Sequence, residues 1–288
     1  MAKVIPFRGL RYNRERVGDL SQVVAPPYDV ISEPEREAFL AAHPYNIVRL
    51  ELGVDPLGSV PTRSRYELAA ADLREWRREG VLMQEEQPAF YLYEQQYTAP
   101  VLDPAAAGQL IRRLGLIGLV KLEEYDKRVI LPHEGTLGPP KQDRRRLMDS
   151  TRCSFSQVFG IYSDPQCRLE AEGERLCAAP PVLDVTDRDG VRHRMWVVSD
   201  QAACERLSAI FHDRQVVIAD GHHRYETALA YRDDQRRVYG EVPDAPWEYV
   251  SMYLCNADAG TLTILPCHRL IKELPLEAEA QLWRSVMD

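Results

Sequence analysis

Apolar and polar positions along the chain follow two rhythms. Ser32-Glu33-Pro34-Glu35 has capping-box form and predicts a short helix to about Ala42. A second box, Ser64-Arg65-Tyr66-Glu67, predicts a helix with Tyr66, Ala69, Leu73 and Trp76 on one side and a stop at Gly80. Cys204, Leu207 and Phe211 share one face of a helix over 203–211. Residues 225–234 and 276–288 are also predicted to be helical. A period of two predicts the strands. Residues 46–52 read Asn-Ile-Val-Arg-Leu-Glu-Leu, a strand with Arg49 and Glu51 on one face. Residues 90–97, 114–122, 129–131, 155–162 and 194–198 are further strands, and 216–219 is a buried one. Residues 183–198 predict a hairpin around Asp189-Gly190. Residues 249–256 and 261–265 predict another around Ala259-Gly260. Together these make an α+β chain, a mixed and strand-rich sheet with flanking helices.

A length of 288 residues fits one large domain or two ordinary ones. The natural division is an N-terminal α+β region, 1–125, and a motif-bearing α+β region, 126–288, either separate or continuous. The last predicted helix stops at Asp288 without a cap, as in a shortened chain or one missing a partner. Hydrophobic residues make up 45% and charged residues 28%, which excludes wholesale disorder. Thirty-six basic against 44 acidic side chains give a net charge of −8. The excess is spread along the chain, so nucleic acid is not an expected partner. No apolar run approaches the roughly 20 residues of a membrane helix, and the first residues lack a signal-peptide core. The six cysteines form no Cys-x-x-Cys and are expected as reduced thiols in a cytoplasmic protein. Oligomeric state is not legible.

Three apolar runs end at proline and hand over directly to polar groups: Val23 to Asp29, Val129 to Glu134, and Leu262 to Arg269. Proline stops a strand, so the groups after it sit at a sheet edge, where sites are often built. The most concentrated chemistry lies at Asp220-Gly221-His222-His223-Arg224. A four-residue apolar strand precedes it and an amphipathic helix leaves from it. Gly221 lets the backbone approach a ligand. The first helix amides and the helix dipole favour an anion there. His222, His223 and Arg224 add donors, and Asp220 can cap the helix or help hold Mg²⁺ beside phosphates. Adjacent histidines point about 100° apart on a helix, unlike the i, i+4 pairs of helical metal sites.

Residues 133–146 form a second cluster. His133-Glu134 opens it as an acid–base pair. A Gly/Pro loop follows, then a basic helix start with Lys141, Arg144, Arg145 and Arg146. Positive charge there, in an acidic chain, would draw a phosphate-bearing substrate; the plainer alternative is a solvated basic helix face. Glu134 is the leading general base, with Asp143, Asp29 and Glu51 as rivals. Ser150-Thr151-Arg152-Cys153-Ser154 is a hydroxyl-rich turn suited to substrate binding. The chain has no P-loop, Rossmann glycine fingerprint, protein-kinase signature or Gly-x-Ser-x-Gly.

Asp220 to Arg224 resembles the Asp-Gly-His-His-Arg motif of free serine kinases of the ParB/sulfiredoxin fold. That likeness covers about ten residues and implies a strand–turn–helix phosphate site. The chain as a whole resembles the bacterial domain-of-unknown-function family numbered 1015. The likeness rests on Ala25-Pro26-Pro27-Tyr28-Asp29-Val30-Ile31, Pro44-Tyr45-Asn46, His133-Glu134-x-Thr136, Lys141-x-Asp143-Arg144, Ala219 to Arg224, and His268-Arg269. This family supplies no settled activity.

The leading expectation is a nucleotide-dependent kinase of a small hydroxyl-bearing metabolite such as free serine, using ATP or ADP with Mg²⁺. Gly221, His222, His223 and Arg224 would hold the phosphates. Asp220 would orient Mg²⁺ or the substrate hydroxyl, Lys141 and Arg144 would neutralise the transferring group, and Glu134 or His133 would take the proton. Arg49, Asp29 and His268 are the candidate substrate-binding residues. The alternatives are a metal-dependent phosphatase or hydrolase using His133, Glu134, Asp220, His222 and His268, and a non-enzymatic nucleotide-binding regulator.

Overall fold

The computed structural model describes residues 1–55, 63–99, 108–135 and 138–263, with side chains from 141 onward in the helix that begins at Gly138. In chain order, β1 (Val4–Ile5) and β2 (Leu10–Tyr12) precede α1 (Arg14–Val17), α2 (Glu33–Ala42), α3 (Val48–Glu51) and α4 (Arg65–Arg78). Then come β3 (Leu82–Gln84), β4 (Phe90–Thr98), β5 (Leu110–Lys121), β6 (Ile130–Leu131), α5 (Gly138–Thr151), β7 (Val158–Tyr162) and α6 (Arg168–Leu176). The chain continues through β8 (Leu183–Thr186), β9 (Arg192–Val198), α7 (Gln201–Ala209), β10 (Val216–Asp220), α8 (His222–Tyr239) and β11 (Tyr249–Asn256). The fold is α+β. Among the described residues, eight α-helices surround a nine-stranded mixed sheet of order β6-β10-β7-β11-β5-β4-β9-β8, with β1 also paired to β5. Strands β2 and β3 pair separately. Strands from before and after residue 126 share the one large sheet, β5 pairing with β11 and β4 with β9.

Both capping boxes form, Glu35 reaching back to the Ser32 amide and Glu67 to the Ser64 amide. The hairpin at Asp189-Gly190 forms as β8 and β9. Alternation along β5 and β11 turns Leu116, Val120, Val250, Met252 and Leu254 into the main core, where Leu207, Phe211, Tyr225 and Leu229 meet them. Each such side chain, fully buried, stabilises by about 1.5–3 kcal/mol. A second core joins Leu73 and Trp76 of α4 to Val23, Leu50 and Val81.

Three expectations are corrected. Residues 46–52 are not a strand: the buried Asn46 accepts from the Val48 amide and starts α3. The strand predicted from residue 155 begins at Val158. Residues 261–263 are not a strand, so no hairpin partner of β11 appears among the described residues, and 264–288, including His268, lie outside them. The five described cysteines are free. Among the described residues no helix is long and apolar enough to cross a membrane.

Candidate functional site

Strand β10 pairs in parallel with β6 and antiparallel with β7. A register shift between Ile218 and Asp220 ends its regular pairing and leaves Asp220 exposed; bulges of this kind commonly re-aim side chains beside sites. Gly221 follows in the left-handed region at φ +90°, which glycine tolerates at little cost. It is the N-cap of α8, and no side chain caps that end. Asp220 therefore does not serve as the cap.

Arg224 folds back over this turn, and a Cβ on Gly221 would lie 2.8 Å from its Nε. The guanidinium pairs with Asp220 and donates to the Gln157 carbonyl. The side chain is 10% exposed, and its Nε has no partner. Arg224 is thus an engaged group with one donor left over, not the free donor set that the motif predicts.

The His133-Glu134 pair leaves the end of β6 and reaches this same turn. The Ile218 carbonyl can only accept, so His133 Nδ1 donates to it, at 2.6 Å, and the His133 Nε2 lone pair is left over. The His133 amide can only donate, and its acceptor is His222 Nε2 at 3.2 Å. The neutral His222 ring therefore carries its proton on Nδ1. Nδ1 lies 3.1 Å from the Glu134 carboxylate but out of line for a hydrogen bond. The two imidazoles meet edge to face at 4.5 Å. Burial, and then the neighbouring His133, hold the His222 pKa below its ordinary value, so the ring stays neutral.

One ligand atom each from His133, Glu134 and His222 falls within 4.8 Å of the others. His133 is oriented as metal-binding histidines often are, its second nitrogen donating to a backbone carbonyl. His222 is not, because its lone pair is already taken at Nε2. The trio as it stands suits proton transfer better than metal ligation.

The basic helix α5 lies along α8. Lys141 pairs with Glu226 at 2.8 Å, and Arg145 reaches Asp234 at 2.5 Å. Arg144 is buried. It donates to the Glu51 backbone carbonyl at 3.0 Å, pairs with Asp143, approaches the Glu51 carboxylate at 3.6 Å and sits 4.0 Å over the Tyr28 ring. Asp143 is held in turn by Arg65 and Tyr66, which removes it as a free base. Burial raises the Glu51 pKa, against its bond from Ser156 Oγ at 2.6 Å and the charges of Arg144 and Arg224. Asn46 donates to the carbonyls of Gln22 and Val24, bracing the segment that delivers Tyr28 and the exposed Asp29. Asp29 also acts electrostatically on Glu51. Arg49 is directed elsewhere, donating to the Pro44 carbonyl at 3.0 Å. Two residues along a helix differ by about 200°, so α3 separates Arg49 from Glu51 where a strand would have aligned them.

The fold therefore gathers His133, Glu134, Asp220, Gly221, His222 and Arg224 at one turn, with Glu51, Arg144 and Tyr28 behind it. His223 is in the same first turn, and Lys141 is placed farther along α8 by its pair with Glu226. A family model described as Protein of unknown function (DUF1015) matches residues 4–287. The chain belongs to the DUF1015 family. Comparisons with curated proteins and with solved structures return no match.

Two cavities in this DUF1015 chain adjoin the site. A small one, about 30 Å³, is lined by residues that include Glu51, Arg144, Ser156, Arg224 and Thr227. A wider groove of about 520 Å³ runs between α5 and α8 past Lys141, Arg145, Arg146, Glu226 and Thr227. Thr227 belongs to both and went unnoticed in the sequence. It is buried, and its hydroxyl has no partner. The available signal was a hydroxyl beside the inward stripe of Tyr225, Ala228 and Leu229.

Proposed function

We propose that this DUF1015 chain is a nucleotide-dependent phosphotransferase acting on a small hydroxyl-bearing metabolite, free serine being the leading candidate. The turn at Asp220 to Arg224 acts as a ParB/sulfiredoxin-like phosphate site. The observation that carries this reading is the meeting of His133 and Glu134 with the uncapped first turn of α8. An anion is favoured at such an end, and the lone pair on His133 Nε2 and the Glu134 carboxylate stand beside it as proton acceptors.

In this mechanism the donor phosphates of ATP or ADP lie against the amides of His222, His223 and Arg224. Asp220 shares one carboxylate oxygen with Arg224, and its other oxygen would join phosphate oxygens and waters around Mg²⁺, a ligand set that this ion accepts. Bound Mg²⁺ supplies charge neutralisation to the transferring group. Glu134 takes the substrate hydroxyl proton directly or through His133. The neutral, buried His222 holds His133 in place through its bond from the His133 amide.

Incubating the protein with Mg²⁺, ATP or ADP and a panel of amino acids, followed by ³¹P NMR, tests the reading. A new phosphomonoester is the expected result. Nucleotide binding with no product would select a regulator, and no nucleotide binding at all would end the phosphate reading.

One observation favours a second reading, a metal-dependent hydrolase: the proximity of His133, Glu134 and His222. It requires His222 to give up the bond at Nε2. A stoichiometric transition metal in the purified protein, lost on His222→Ala, would favour it over the first.

A further inference from the structure

The small cavity behind the turn has two polar side chains with unmet bonding capacity. Arg224 has Nε without a partner and is nine-tenths buried. Thr227 has an unpartnered hydroxyl and is 2% exposed. Both residues line the cavity, together with Arg144, Ser154, Ser156 and Glu51. A buried donor left unsatisfied costs its full desolvation energy, so two at one cavity mark a place for an acceptor.

Size and charge narrow the occupant. About 30 Å³ accommodates roughly two water-sized oxygens, at 10–15 Å³ each. That space suits the two oxygens of a carboxylate. Two guanidiniums border the space and favour an anion there; their terminal nitrogens meet Gln157, Asp220, Asp143 and Glu51, so the charged contact on offer is the single Nε donor of Arg224. The one acid, Glu51, is held toward its neutral form by burial. Thr227 also borders the wider α5–α8 groove, which offers a route for the rest of a small molecule.

We propose that this inner cavity receives the carboxylate of the substrate, with Arg224 Nε and Thr227 Oγ1 as its donors, so that the substrate class is a small hydroxy or amino acid. This deepens the phosphotransferase reading and rests on it for the reaction, but the carboxylate site can be tested without turnover. It also places a substrate contact on α8, where the sequence pointed to Arg49.

Calorimetry and thermal melting of the full chain with L-serine, D-glycerate and L-serinol test it; serinol replaces the carboxylate by a hydroxymethyl group. Binding by at least one of the two acids is expected, with serinol at least tenfold weaker. Thr227→Val should weaken acid binding about tenfold or more, as for a hydrogen bond to a charged group. It should not lower the melting temperature of the free protein, because the lost hydroxyl has no partner. Thr227→Ser should keep the binding. Equal binding of serinol, no acid binding, or unchanged affinity in Thr227→Val would overturn the inference. A lowered melting temperature in Thr227→Val without any acid binding would assign the cavity to ordered water. ADP and ATP are titrated into the same samples. Nucleotide binding without acid binding sinks this inference alone, whereas acid binding without nucleotide binding sinks the phosphotransferase reading alone.

Discussion

Two buried glutamates in this molecule are treated in opposite ways. Glu94, on β4, is 3% exposed. Arg112 reaches one of its oxygens with Nε at 3.2 Å and a terminal nitrogen at 2.6 Å, and Arg194 takes the other oxygen in the same manner. Both carboxylate oxygens are fully used, and Glu94 has no acceptor left to offer a ligand. Glu51, at the end of α3, is similarly buried but holds one hydroxyl bond from Ser156 and a looser approach by Arg144. Around it, Arg224 Nε and Thr227 Oγ1 go unpaired, as does the nearby His222 Nδ1. A buried charge cluster that closes on itself is architecture. One that leaves donors unspent keeps bonding capacity, on which the proposed carboxylate site rests.

The sharpest way to break this contrast is Glu134→Gln. If the turn is a site, phosphoryl transfer should fall about 10²–10⁴-fold, the range for losing a general base, with an unchanged melting temperature. Loss of stability without loss of transfer would make Glu134 another Glu94. Glu94→Ala should do the reverse. It should lower stability in urea unfolding by about 1–3 kcal/mol, because the partly buried Arg194 loses its carboxylate partner, and nucleotide affinity should not move.

Acidity separates the groups around the turn. The folded His222 has its pKa below the ordinary 6.5. The unfolded chain therefore takes up more protons as pH falls below 6.5, and stability drops until the folded value is passed. Glu51 has the opposite sign. Its folded pKa lies above 4.5, so its penalty is absent at lower pH and grows as pH rises from 4.5 through the folded value. Melting curves against pH should show the first slope flattened in His222→Gln and the second in Glu51→Gln. The smallest effect belongs to Arg49→Ala: transfer within about twofold of the parent and stability within about 0.5 kcal/mol, as for an ordinary surface position.

Much of the fold was readable where a local rule decides the outcome. The capping boxes at Ser32 and Ser64, the turn at Asp189-Gly190 and the apolar run into Gly221 are all local. Seven residues from Asn46 alternate like a strand, yet α3 is too short for its period to show, and the deciding event is one bond that the Val48 amide donates to the Asn46 side chain. Helix α6 escaped notice because Gly173 interrupts it. That glycine lets the helix sit close to β5, since a Cβ there would lie 2.3 Å from the end of the Leu114 side chain, which would have to turn aside. At the site, residue types and the turn were legible. The meeting of His133 with His222 was not, because it depends on the parallel register of Val216 with Ile130 across more than 80 residues. Nor can a motif reveal that Arg224 is drawn to the Gln157 carbonyl.

Strand β6 is only two residues long, and among the described residues β10 is its one neighbour in the sheet. His133 and Glu134 thus follow a short strand at the margin of a broad sheet, while the turn they face leaves β10, one strand further in. Such a margin opens at a fraction of the free energy of global unfolding. Amide hydrogens of Ile130 and Leu131 should exchange well before those of β5 and β11, so the side of the turn formed by His133 and Glu134 should loosen while the remainder of the fold stays shut.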